Sequence, residues 1–109
     1  MFVDLLPSDK KKYKMIFYDD NKKKIKTVHF GQKGALDFTR HKKEDREARK
    51  KAYIIRHQKR ENWSDPMTAG ALSRWILWNK PTIEESFKDY KERFNLKKYF
   101  VFKRKPKKI

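Results

Sequence analysis

Basic side chains at helical spacing are the chemistry this sequence offers most plainly. Between residues 40 and 60 stand Arg40, Lys42, Lys43, Arg46, Arg49, Lys50, Arg56, Lys59 and Arg60. Guanidinium forks and ammonium groups bind phosphate oxygens, and release of condensed counterions drives that association. A second cluster, Lys103, Arg104, Lys105, Lys107 and Lys108, closes the chain. It has the character of a nuclear-localisation signal or of a flexible arm on DNA. The plainer reading of either cluster is a solvated surface that keeps the protein soluble.

Catalytic chemistry finds little support. His29, His41 and His57, with Asp37 or Glu61, raise the idea of a metal-dependent nuclease. No His-Glu-x-x-His spacing and no paired carboxylates accompany them, so structural hydrogen bonding or conditional positive charge is the expected role. Gly31-Gln32-Lys33-Gly34 lacks the spacing of a phosphate-binding loop and reads as a turn. The absence of cysteine excludes disulfides, Cys-ligated zinc and a thiol nucleophile. Tyr99-Phe100-Val101-Phe102 shares aromatic character with base-stacking strands of RNA-binding modules. It lacks their glycines and their strand–helix order, so core or edge-strand packing is expected. Trp75 and Trp78 are expected in the core, while Trp63, in a polar segment, suits either packing or stacking.

The charge balance points the same way as the basic clusters. The chain has 109 residues, 31 Lys+Arg against 14 Asp+Glu, and a formal charge of +17. That length suits one domain. Sixteen aromatic residues among so many charges argue for a small folded core rather than a disordered chain. The positive charge is unevenly spread: residues 1–30 carry net +4, 31–60 net +7, 61–96 net −1 and 97–109 net +7. The expected core therefore sits in the neutral third, and a polyanion is the natural partner. No apolar run approaches the roughly 18 residues of a membrane span, and the N-terminus reads as too short and acidic for a signal peptide.

These residues need elements to position them. Tyr13–Tyr18 and residues 25–30 are rich in β-branched and aromatic residues around the turn chemistry of Asp19-Asp20-Asn21-Lys22, which predicts a β-hairpin. Residues 43–58 read as a helix whose narrow apolar stripe is Ala48, Ala52 and Ile55. Asp45 with Arg49 and Glu47 with Lys51 are i, i+4 pairs on it. Asp65-Pro66 reads as the cap and first position of a nearly all-apolar helix ending near Asn79. Thr82-Ile83-Glu84-Glu85 matches a capping box, and Ile83, Phe87, Tyr90 and Phe94 mark the buried stripe of a third helix. Residues 97–102 are a candidate third strand.

The segment Glu61-Asn62-Trp63-Ser64-Asp65-Pro66-Met67-Thr68-Ala69-Gly70, continuing through Trp75, Trp78 and Thr82, is distinctive. Together with Lys26-Thr27-Val28-His29-Phe30-Gly31 and Asp37-Phe38-Thr39-Arg40-His41, it resembles a family of small basic proteins of large nucleocytoplasmic DNA viruses, the Marseillevirus group included. The resemblance spans roughly residues 13–95. It implies a viral, virion-associated protein working on DNA, in genome condensation, in the virion, the viral factory or the host nucleus; that family has no known catalytic activity.

The expectation is an α+β fold: an N-terminal hairpin, joined or not by 97–102, on three helices, with residues 1–102 as the domain and 103–109 as a flexible tail. The expected function is non-catalytic, largely sequence-independent binding of double-stranded DNA, without cofactor, metal or membrane. The small size makes a homodimer plausible, although no heptad signature supports it. An interaction protein docking on an acidic partner, an RNA-binding protein and a nuclease subunit are the alternatives.

Overall fold

The computed structural model describes residues 1–99. Along the chain run β1 (Phe2–Pro7), β2 (Tyr13–Tyr18), β3 (Lys24–Phe30), α1 (Lys43–His57), α2 (Ala69–Leu72), α3 (Ile83–Arg93) and β4 (Lys97–Lys98). The fold is α+β, a sheet carrying three helices.

β2 and β3 form the predicted antiparallel hairpin. Its turn is held by Asp19, whose Oδ1 accepts the backbone N–H groups of Asn21 and Lys23, both at 2.9 Å. A strand not predicted from the sequence, β1, pairs antiparallel along the full length of β2. Asp4 and Pro7 obscure its pattern, yet Val3 is completely buried. The strand order is β3-β2-β1-β4. β4 runs parallel to β1, with Lys97 opposite Phe2 and Lys98 opposite Val3. The candidate third strand thus extends β1 rather than the hairpin; residues 100–102 and the 103–109 tail lie outside the described residues.

Period-2 alternation sends Val3, Met15, Phe17 and Phe30 to one face of the sheet, where they meet Leu72, Ile76, Leu77 and Tyr90. The predicted stripe of α3 packs there too, through Ile83, Phe87, Tyr90 and Phe94. Thr82 caps α3 as the sequence implies, accepting the Glu85 N–H at 3.2 Å. Gly31 (φ +85) is required where the chain leaves β3, because a Cβ there would stand 2.9 Å from Leu77 Cδ1.

The second helix departs from expectation. Asp65 is not its cap: Asp65 Oδ1 accepts the Met67 N–H within a turn, and Thr68 caps α2 by accepting the Ala71 N–H. Pro66 stays in that turn, its carbonyl accepting the buried Tyr90 hydroxyl at 2.8 Å. After Leu72 the helix widens into π-type turns over Ser73–Leu77, and the Trp78 N–H reaches back to the Ser73 carbonyl. Arg74 and Asn79 donate to the carbonyls of Trp78 and Trp75, which satisfies this helix end. The Asn79 side-chain amide also donates to Asp89 Oδ2 of α3 at 2.7 Å, and the Asn79 backbone carbonyl accepts Lys50 Nζ of α1 at 2.9 Å. One buried residue, through its side chain and its backbone carbonyl, therefore ties three helical segments together.

Candidate nucleic-acid interface

The basic helix α1 is anchored by a single fully inward ring. Tyr53 is its one buried residue, stacked on Trp78 at 4.9 Å, on His57 at 4.4 Å and near Trp63 at 6.2 Å between centroids. Arg46 and Lys50 lie on the same face at helical spacing and cover Phe38, their cationic groups 5.4 Å and 4.9 Å from its centroid. The expected apolar stripe is accordingly reversed. Ala48 and Ala52 are exposed, and Ile55 is 62% exposed. A tyrosine ring and two long aliphatic stems bury more apolar area than two methyl groups, so they set the docking face.

Immediately before α1, a latch fixes the approach of the chain. Lys12 Nζ sits 2.6 Å from Asp37 Oδ2, with both side chains nearly buried. Asp37 Oδ1 accepts the backbone N–H and hydroxyl of Thr39, while its carbonyl accepts the N–H groups of Arg40 and His41. The next residue, Phe38, donates its N–H to the Leu77 carbonyl at 3.0 Å. The loop leading into α1 is thereby pinned to both the sheet and the π-helical segment.

This docking divides the expected phosphate-binding residues. Arg40, Lys42, Lys43, Arg49, Arg56, Lys59 and Arg60 are exposed, and none is in an ion pair among the described residues. Arg46 and Lys50 are half-buried and committed to Phe38, and Lys50 additionally to Asn79. Burial, reinforced by the nearby Arg74 guanidinium, holds the Lys50 ammonium below its ordinary pKa. Lys51, outside the expected set, is exposed on the same helix and makes no ion pair with Glu47. The spacing rule that paired it with Glu47 hid it. Lys103, Arg104, Lys105, Lys107 and Lys108 lie outside the described residues.

The carboxylates of α1 gather in its N-terminal half, at Glu44, Asp45 and Glu47, and the helix dipole favours them there. From Ala48 to Arg60 no acidic residue interrupts Arg49, Lys50, Lys51, Arg56, Lys59 and Arg60. Arg49 and Arg56, seven residues apart, share one flank of the helix, beside the small exposed side chains of Ala48 and Ala52. A surface of this kind can lie close against a phosphate backbone.

The histidines are engaged structurally. His57 Nδ1 is 3.1 Å from Glu61 Oε2, His29 Nδ1 is 2.7 Å from Ser8 Oγ, and His41 packs against Trp78. Among the described residues, no three His, Asp or Glu side chains converge as a metal site would require. Trp75 packs against the core but sits between Arg74 and Arg93, whose guanidinium carbons are 4.3 Å and 3.8 Å from its centroid.

The model of a family of unknown function, DUF5754, matches residues 3–57, half of the chain. The chain belongs to this family. The matched stretch runs from β1 to the last residue of α1. It therefore contains the hairpin, the Lys12–Asp37 latch and the basic helix, and stops short of Trp63 and the helices that complete the core. No curated protein and no solved structure matches the chain.

Proposed function

We propose that the protein binds double-stranded DNA without catalysis and with little sequence preference, using the solvent-facing side of α1 and the loop before it. One observation carries this reading: exposed Arg40, Lys42, Lys43, Arg49, Arg56, Lys59 and Arg60 have no ion-pair partner within the described chain, while small Ala48 and Ala52 lie among them. Unneutralised charges on one surface raise the protein's self-energy, and phosphate binding relieves it. Arg and Lys dominate this surface, and Gln58 is the single amide side chain between Ala48 and Arg60, so phosphate contacts outweigh base-edge contacts. The 103–108 cluster supplies auxiliary basic charge.

The biological setting we propose is packaging or organisation of a viral genome, in the virion, the viral factory or the host nucleus. That setting rests on the resemblance around residues 61–82. A salt titration of duplex binding, with competition between unrelated duplexes, tests the binding mode. If about six phosphates are neutralised, log K falls against log[salt] with a slope near −5. Discrimination above about a hundredfold between unrelated duplexes would contradict the non-specific mode, because it exceeds what phosphate contacts alone supply.

A further inference from the structure

The helices cover only one face of the sheet. On the other, strand register places Phe2 opposite Tyr18, Asp4 opposite Ile16 and Leu6 opposite Lys14. None of Phe2, Leu6, Ile16, Tyr18 or Tyr99 packs against the hydrophobic core, and each remains partly exposed. Apolar residues therefore occupy both faces of β2, Met15 and Phe17 on one and Ile16 and Tyr18 on the other. Tyr99, two residues beyond Lys97 and so on the same side of the sheet, lies flat on Tyr18, with centroids 3.6 Å apart and planes 13° apart. Burial, together with Tyr99 and Asp4, pushes the Tyr18 hydroxyl above its ordinary pKa, as expected if the three share this face.

We propose that this face, open among the described residues, binds single-stranded nucleic acid, its bases stacking on the Tyr18–Tyr99 pair beside Phe2. Unpaired bases offer π-faces that a duplex keeps hidden, and aromatic rings on an open sheet are suited to them. Lysines stand beside the rings: Lys24 pairs with Tyr18 across β2 and β3, and Lys14 continues the same face. Asp4 is the single carboxylate in the described strands on this side. A second copy of the chain is a poor occupant, since each copy carries a formal charge of +17. The site is separate from α1 and does not depend on the duplex reading.

Fluorescence anisotropy of a labelled oligothymidylate of about ten nucleotides, titrated with the full chain, tests it. Tyr18→Ala with Tyr99→Ala should weaken oligothymidylate binding by about tenfold or more and leave duplex binding unchanged. Tyr18→Phe with Tyr99→Phe, which keeps the rings, should bind like the unmodified protein. Unchanged single-strand affinity in the folded Ala pair would overturn the proposal, as would equal loss in the Phe pair. Should the Ala pair not fold, ring resonances of Tyr18 and Tyr99 in the unmodified protein decide: they shift on adding oligothymidylate, or the proposal fails. Sedimentation showing dimers that the same rings hold together would assign the face to a second copy and overturn it too.

Discussion

The ring of Tyr53 lies nearly parallel to that of Trp78, their planes 10° apart and their centroids separated by 4.9 Å. This stack sets the rotation of α1 about its own axis. With Tyr53 inward, Arg46 and Lys50 fold over Phe38, and Arg49, Arg56 and Lys59 are left to solvent. A packing contact thus decides which cations are available to a ligand.

Tyr53→Ala should therefore destabilise the fold and disorder the basic surface together. Removing a buried ring of this size costs about 3–5 kcal/mol, a large share of the ~5–15 kcal/mol typical of a domain. Urea melts followed by circular dichroism check it. A loss below about 1 kcal/mol would mean that the stack does not anchor α1.

Much of this arrangement was legible beforehand. The hairpin, the capping box at Thr82 and the stripe of Ile83, Phe87, Tyr90 and Phe94 follow from local pattern, and each forms as read. The docking face of α1 was not legible. Periodicity weighs Ala48, Ala52 and Ile55 as apolar and Arg46 and Lys50 as polar, yet long stems over an aromatic ring bury well. β1 was missed because Asp4 and Pro7 interrupt its pattern, although it pairs with the adjacent strand β2 across the short loop 8–12. Of the candidate interface, residue types and rough position were visible; which cations are withdrawn depended on Phe38, in the loop before α1, and on Asn79, distant in sequence.

The Lys12–Asp37 pair should be costly to break from one side. Lys12 and Asp37 side chains are 10% and 4% exposed, so Asp37→Ala leaves a nearly buried ammonium without its partner. The expected loss is about 3–5 kcal/mol, and the Thr39 turn contacts go with it. Thermal or urea unfolding of the variant measures this.

Lys50 and Lys59 should behave differently despite identical side chains. Lys50→Ala removes the bond to Asn79 and the contact with Phe38, for a stability loss of about 1–2 kcal/mol. Lys59→Ala, at an exposed position, should leave stability unchanged and make the duplex salt slope shallower by about one. Melting curves and salt titrations of both variants separate the two roles.

Acid should unfold the protein partly through Asp89. Burial raises this carboxyl's pKa, but hydrogen bonds from Asn79 and Arg93 outweigh it and hold the group below its ordinary value. A folded pKa below the unfolded one gives stability that is in place above about pH 4 and lost as pH falls through the folded value. Asp89→Asn should be less stable at neutral pH, with a smaller further loss on acidification. Urea midpoints measured across the acid range would show it; parallel curves for the two proteins would contradict it.

Under the proposed function, exposed cations on α1 hold duplex DNA. Arg49→Glu with Arg56→Glu tests it most directly, because both side chains are exposed and unpaired on the flank of α1 beside Tyr53. Duplex affinity of this variant should fall steeply, and its salt slope should be shallower by about two, with an unchanged melting temperature. A folded double variant that bound duplex DNA with the original affinity and slope would contradict α1 as the binding surface.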